Sequence, residues 1–300
     1  MSNRVTQSML NQNFLFNLNR SNKAMEKYQD QFSSGKKISK PSDDPVTAVR
    51  GMFYRSTLSE INQFKKNADD GLSWMTATDD ALDEVTSVIH RVRELTVEGL
   101  NGTNDDSSLE AIASEIDQLK EHLGEIANTQ MAGKYLFAGT DTKNAPYRLD
   151  PNDQEKKFIN QNSEAIQVQV GQTNNVQINV NGKNIFASEE IGSIFDVLTN
   201  ITKDLRDPSQ SQDDHLSKLD AQLDNILKER AELGARMNRM ELSQTRIDDL
   251  EVSATSLLSE TEDADLSKVI IDLKSQENVQ RAALSAGARI IQSSLVDFLS

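Results

Sequence analysis

The sequence predicts a mainly α protein, in which both chain ends build a long antiparallel helical rod with terminal coiled-coil segments and a small β domain is inserted into it. Three observations carry this. Apolar side chains recur at alternating steps of three and four through most of residues 10–126 and 216–298. The last 92 residues, 209–300, contain no proline and only two glycines, Gly234 and Gly287. Between 141 and about 205 the rhythm changes to alternation, with Ile166, Val168 and Val170 separated by glutamines and Val176, Ile178 and Val180 following. The expected divisions are an N-terminal axial segment, 1–45; the first part of the rod, 46–140; the insert, 141–205; the second part of the rod, 206–265; and a C-terminal axial segment, 266–300.

The first helix is expected from Leu10, Phe14, Leu18, Ser21, Met25, Tyr28 and Phe32, which share one stripe. Asn11, Gln12, Asn13, Asn17, Asn19 and Asn22 lie between them, and amides are mediocre helix formers, so this helix needs a partner to be stable. It should stop at Gly35, which can adopt a left-handed conformation. A hinge-like connector follows, with Pro41 and Pro45 forcing extended geometry before them and Asp43 and Asp44 placed to cap the next helix.

From 46 to 99, Ile61, Phe64, Ala68, Met75, Leu82, Val85, Ile89 and Val92 form a core-facing seam, with Gly71 and Thr78 as weak members. A turn at 99–102 leads to a second helix carried by Leu109, Ile112, Ile116, Leu119, Leu123 and Ile126, and the short link makes the two antiparallel neighbours. In the insert, Asn181-Gly182 reads as the tight turn of a hairpin, whose apolar face should be covered by Ile191, Ile194, Phe195, Val197 and Leu198 on a short helix ending before Pro208. After Pro208 the helix resumes through Leu216, Leu219, Leu223, Ile226, Leu233, Met237, Met240 and Ile247. The step to Leu250 reads as a stammer before Ala254 and Leu257. Leu266, Val269, Ile270, Leu273, Leu284, Ile290, Ile291, Leu295 and Phe298 form a broader final stripe. As one helix, 209–300 would span about 140 Å at 1.5 Å per residue, so it needs partners along its length.

Charge narrows the function classes. The net charge is −15, which argues against nucleic acid, since binding there rests on neutralising phosphates. Residues 1–40 nevertheless carry seven bases and two acids, while 247–273 carry eight acids and one base, so the two ends are electrically complementary and their pairing is a working hypothesis. No apolar run reaches the roughly 18 residues of a membrane helix, and the first 18 residues lack a signal-peptide core. There is no cysteine, hence no disulfide or thiolate chemistry. His90, His122 and His215 have no second histidine at ligand spacing; His90 beside Ile89 and His122 beside Leu123 fall on helix surfaces. The acidic pairs Asp105-Asp106 and Asp213-Asp214 lack a calcium loop and read as helix caps, and Trp74 as packing. No phosphate loop, dinucleotide fingerprint or nucleophile elbow is present. No catalytic, cofactor or metal residue is expected.

The run Phe32-Ser-Ser-Gly-Lys-Lys-Ile-Ser-Lys-Pro-Ser-Asp-Asp-Pro45 resembles the N-terminal signature shared by bacterial flagellins and flagellar hook-filament junction proteins. Its Lys-Pro-Ser-Asp-Asp-Pro portion is nearer the junction family (hook-associated protein 3), as are Gly133-Lys-Tyr-Leu-Phe-Ala-Gly139 and the end, Ala288-Arg-Ile-Ile-Gln-Ser-Ser-Leu-Val-Asp-Phe-Leu299. Ser293 stands where many members have proline. The resemblance implies a non-enzymatic junction adaptor outside the cell, exported without a cleaved signal by the flagellar type III apparatus. Its implied partners are hook-associated protein 1, flagellin, copies of itself in a ring and an export chaperone; no nucleic acid and no membrane insertion are implied.

On the residues themselves, Phe14, Leu18, Met25, Tyr28 and Phe32 at one end and Leu273, Leu284, Ile290, Ile291, Leu295 and Phe298 at the other are the expected assembly stripes. They should be disordered in the free monomer and order on assembly, because they offer too much apolar surface in too little length. A self-polymerising flagellin, a cytoplasmic coiled-coil scaffold and, most remotely, a hydrolase stand as rivals.

Overall fold

The computed structural model describes residues 7–101, 104–149, 156–207 and 214–296, with the side chains of 7, 8, 10 and 289–296 outside that description. In chain order the described elements are α1 (Gln7–Ser34), α2 (Pro45–Gly99), α3 (Asp106–Ala127), β1 (Gln130–Met131), β2 (Lys134–Tyr135), β3 (Tyr147–Leu149), β4 (Lys156–Phe158), β5 (Gln167–Gln169), β6 (Asn175–Gln177), α4 (Gly182–Phe186), β7 (Ala187–Ser188), β8 (Gly192–Ser193), α5 (Ile194–Arg206), α6 (His215–Glu262) and α7 (Leu266–Val296). The strands pair antiparallel, each with its successor, as four two-stranded sheets. The protein is therefore mainly helical with small antiparallel sheets confined between α3 and α5. It divides into a central unit, 61–250, and a terminal unit of 1–60 with 251–300.

In the central unit the three-four rhythm becomes burial. Met75, Leu82, Val85, Ile89 and Val92 of α2 are buried, as are Ile112, Ile116 and Leu123 of α3. Asp105 caps α3 by accepting from the Ser108 backbone N–H at 3.2 Å. Ion pairs fix the directions: Arg93–Asp220 at 2.7 Å, Arg230–Asp83 at 2.7 Å and Lys65–Asp248 at 2.8 Å run α2 against α6. Arg91–Glu115 at 2.7 Å and Glu84–His122 at 3.1 Å run α2 against α3, again antiparallel.

Three expectations are corrected. In α6 the buried positions Leu219, Ile226, Leu233, Met240, Ile247 and Ala254 follow an unbroken repeat of seven, so no stammer interrupts the helix; Leu250 and Leu257 are exposed. Asn181-Gly182 is not a hairpin turn. Asn181 caps α4 by accepting from the Lys183 backbone N–H at 3.0 Å, and the hairpin is β5–β6, with Val168 opposite Val176 and its turn at 170–174. Gly182 lies so close to the Phe137 carbonyl and the Phe158 ring that a side chain there would clash with both.

The third concerns the hairpin's cover. Ile178 and Met240 converge on Gly71, where an added Cβ would lie 3.1 and 3.0 Å from them, so α2 and α6 cover this face. Arg236 adds a hydrogen bond to the Asn179 carbonyl at 2.9 Å. Helix α5 instead packs on α3 and on an aromatic cluster: Tyr147 stacks on Phe195 at 4.6 Å and Phe158 on Phe186 at 5.3 Å. Ile191 lies before that helix and is half-buried.

Candidate assembly surface

The terminal unit is built on α1 packed against α7. The Gln276 side-chain amide donates to the Ser21 hydroxyl at 2.6 Å, that of Gln280 to the Asn22 side-chain oxygen at 2.8 Å, and the Phe14 ring lies on Gly287, so the pair is antiparallel. Phe14, Leu18, Met25 and Tyr28 share the stripe that holds Ser21 and are half-buried along it. On α7 the matching stripe is Val269, Leu273, Gln276, Gln280, Ala283 and Gly287. Amide, hydroxyl and glycine occupy positions a stable seam would fill with leucine, so burial per turn is small.

The rest of the expected interface separates. Phe32, although it continues the α1 stripe, is 50% exposed, and Leu284 is 51% exposed. The side chains of Ile290, Ile291 and Leu295, and all of Phe298, lie outside the described residues. Other exposed apolar residues join them: Met9, Leu15 and Phe16 on α1, Val46, Val49, Met52 and Phe53 on the first turns of α2, Val252 and Leu257 on α6, and Leu266, Ile270, Ile271 and Val279 on α7. Against this, the buried apolar residues of the described terminal unit are Ala48, Ala254 and Val269. That imbalance is what an interaction surface looks like.

Polar contacts hold this thinly packed unit in shape. Helix α1 ends at Gly35, whose φ of 68° is the left-handed conformation that glycine tolerates. The connector then pairs with the α6–α7 joint: the Lys37 N–H donates to the Glu262 carbonyl at 2.6 Å and the Ala264 N–H to the Gly35 carbonyl at 2.8 Å. The Glu262 side chain, 5% exposed, receives Arg55 at 2.6 Å and Lys36 at 3.0 Å, and its oxygen would lie 2.3 Å from any Cβ on Gly51. Burial works against its charge, but hydrogen bonds from Arg55 and Lys36 outweigh that and hold the carboxyl below its ordinary range. The ammonium of Lys37 reaches the Glu260 carbonyl.

Asp44 caps α2 by accepting from the Val46 and Thr47 N–H groups at 3.0 and 3.2 Å; its carboxyl is lowered first by the Thr47 hydroxyl bond. Asp43 is not part of that cap. It turns back to accept from the Ser39 and Lys40 N–H groups at 3.3 and 3.0 Å, closing the connector under exposed Pro41. Pro45 begins α2, where its missing N–H leaves nothing unsatisfied.

Among the described residues the charge pairing expected between the ends is seen at Lys36 with Glu262, which Arg55 joins. The Glu262 clamp and the apolar run 46–53 were missed. A signal for the second was present: Val46, Val49, Met52 and Phe53 are spaced as a helical stripe but precede the seam that starts at Ile61. The clamp has no local signal, because its groups are 226 residues apart.

Elsewhere, His90 and His122 are exposed, His122 near Glu84 at 3.1 Å, and Trp74 is buried. His215 is buried, with Nε2 2.6 Å from Asp204. Among the described residues no group of three or more His, Asp or Glu is placed to hold a metal, and no helix is long and apolar enough to cross a membrane.

The model for the bacterial flagellin N-terminal helical region matches residues 5–142, and that for the flagellin C-terminal helical region matches 216–299. The chain is similar to flagellar hook-associated protein 3 of Escherichia coli, 27% identical over 94% of each chain. It is also similar to a flagellin of Halalkalibacterium halodurans, 26% identical over 87% of this chain and 84% of that one. In fold it resembles a solved putative flagellar hook-associated protein from Vibrio parahaemolyticus, with a TM-score of 0.65 and 18% identity over 74% of this chain and all of the other.

Proposed function

Because this chain belongs to the bacterial flagellin family, we propose that it is a structural, non-enzymatic subunit of the bacterial flagellum, the adaptor that joins the hook to the filament. The observation that carries the reading is the similarity to hook-associated protein 3 along 94% of both chains, insert included. The terminal unit supports it: two amphipathic helices with a polar seam and many exposed apolar side chains gain their missing neighbours from other subunits.

In this reading the stripe of Phe14, Leu18, Met25 and Tyr28 pairs with the α7 stripe that holds Leu273 to form an inner axial layer, and Phe32, Leu284, Ile290, Ile291, Leu295 and Phe298 complete it in the assembly. The free monomer leaves both axial segments loosely ordered, and they order on incorporation. Copies stand as a ring between hook-associated protein 1 below and flagellin above. The chain reaches the cell exterior through the flagellar type III apparatus without a cleaved signal, escorted by a chaperone that covers the C-terminal stripe.

Electron micrographs of a strain lacking this chain test the reading: completed hooks without filaments are expected, and normal filaments overturn it. The similarity to a flagellin over 87% of the chain favours a second reading, a filament subunit. Purified monomer added to filament seeds separates the two, since continued growth marks a flagellin and a capped or absent extension marks the adaptor.

A further inference from the structure

The β5–β6 hairpin has main-chain groups that no strand pairs with. The Ile178 N–H donates to the Ile166 carbonyl at 3.0 Å and the Val170 N–H to the Asn174 carbonyl at 2.9 Å. With Val168 opposite Val176, the hydrogen-bonded pairs are therefore 166/178, 168/176 and 170/174. In an antiparallel ladder such pairs alternate with pairs whose N–H and C=O groups point away from the partner strand. Gln167, Gln169, Asn175 and Gln177 thus turn their main chains to the outside of the hairpin.

Three carbonyls along these edges are closed by side chains from the long helices. On the β5 side the Asn67 amide donates to the Gln169 carbonyl at 2.9 Å. On the β6 side Arg239 donates to the Asn175 carbonyl at 3.4 Å, and Arg236 to the Asn179 carbonyl at 2.9 Å. Capping of this kind keeps stray strands off a sheet edge. Gln177, between the two residues capped by arginine, is the gap: among the described residues neither its N–H nor its carbonyl has a partner.

Gln177 also lines a groove of about 490 Å³, with Ser163 and Asn181 beside it and Glu229, Glu232 and Arg236 of α6 across from it. The groove has the size of a binding site, but its walls are almost wholly polar. Arg236 is occupied by two carbonyls, those of Asn179 and Glu232. The Glu232 carboxylate is exposed and meets no partner among the described residues, and Glu229 receives the Asn184 amide at 3.3 Å. An open strand edge therefore stands opposite two carboxylates that no cation neutralises.

We propose that this groove takes an extended segment of another protein, bearing lysine or arginine, as a third strand beside β6. The Gln177 N–H and carbonyl pair with the incoming main chain and hold it, while Glu229 and Glu232 receive a basic side chain and select for it. A net charge of −15 favours the approach of such a segment and disfavours an acidic one. The contact lies within the central unit and does not depend on the terminal helices.

Amide exchange on the full chain tests this, with a capped hexapeptide alternating threonine and lysine as the probe and the same peptide with glutamate for lysine as the control. At a probe concentration about ten times the titrated Kd, the Gln177 amide is expected to exchange roughly tenfold more slowly, because only about a tenth of the molecules remain free. The amides of Val168 and Val176, already paired within the hairpin, keep their rates. No slowing at Gln177, or equal slowing by the glutamate peptide, overturns the proposal. Protection of Gln177 that rises with protein concentration in the absence of peptide assigns the edge to a second copy, and overturns it as well.

In a second arm, Glu229→Gln with Glu232→Gln keeps the hydrogen-bond acceptors and removes both charges. Binding of the lysine peptide should weaken about tenfold. Unchanged affinity in this variant also refutes the proposed site.

Discussion

The central and terminal units are built from the same kind of amphipathic helix, yet they use their apolar residues in opposite directions. In the central unit Phe137, Phe186, Met75, Leu82 and Leu123 are fully buried, and its exposed large apolar side chains are scattered singly, as at Val97, Leu149, Leu227 and Leu242. The terminal unit buries little beyond Ala48, Ala254 and Val269, and turns Phe16 (68% exposed) and Phe53 (65% exposed) outward. Ordinary soluble domains follow the first pattern. The second pattern leaves apolar side chains uncovered in the described molecule, and neighbours in the assembly proposed above would cover them.

The comparison can be broken most easily by its largest expected effect. Phe186→Ala removes a ring that touches Phe137, Phe158 and Phe195, and should lower the unfolding free energy of the central unit by about 3–5 kcal/mol, read by denaturant titration. A loss below 1 kcal/mol would mean that this unit is not a self-sufficient core.

Next comes the clamp. Glu262→Gln should weaken the terminal unit by about 1.5–3 kcal/mol, seen as faster amide exchange around 35–60 with exchange in α3 unchanged. Equal acceleration in both would erase the distinction between the units.

Acid sharpens the same contrast. The Glu262 carboxyl is depressed in the folded chain, so its contribution is complete above the unfolded value of about 4.3 and is lost as pH falls through the lower folded value. Amide exchange of the terminal unit should therefore accelerate from near pH 4 downward, and Glu262→Gln should flatten that acid dependence. A variant with the wild-type acid profile would remove Glu262 as its source.

The smallest effect on stability is expected where the apolar residues face out. Phe16→Ser and Phe53→Ser should change monomer stability by about 0.5 kcal/mol or less, while incorporation into flagella falls sharply in a pull-down of intact filaments. Unchanged incorporation would show that these rings are not part of the interface.

Most of the helical architecture was legible because a three-four rhythm is a local property: Ile61 to Val92 announces its buried face without knowledge of any partner. The insert was half legible. Alternation located β5 and β6, but Asn181-Gly182 satisfies both a tight turn and a helix cap, and it is the pairing of β5 with β6 and the Asn181 bond to the Lys183 N–H that mark it as the cap. Leu250 and Leu257 misled for a related reason, since spacing records which residues share a face and not which face is covered. At the candidate site, the α1 stripe at Phe14, Leu18, Met25 and Tyr28 could be read. The polar seam opposite it on α7 and the Arg55–Glu262–Lys36 clamp could not, because each depends on which distant segment comes alongside.

The spacing of that clamp also sets a clock. Lys36 and Glu262 are separated by 226 residues, so at 5–20 residues per second the ribosome delivers them roughly 10–45 s apart. Helix α3 and the hairpin can begin to form during that interval, while the N-terminal helix waits with neither α7 nor Glu262 yet made. The terminal unit is therefore the last part of each molecule able to close, and the apolar face of its first helix is made before the contacts that position it.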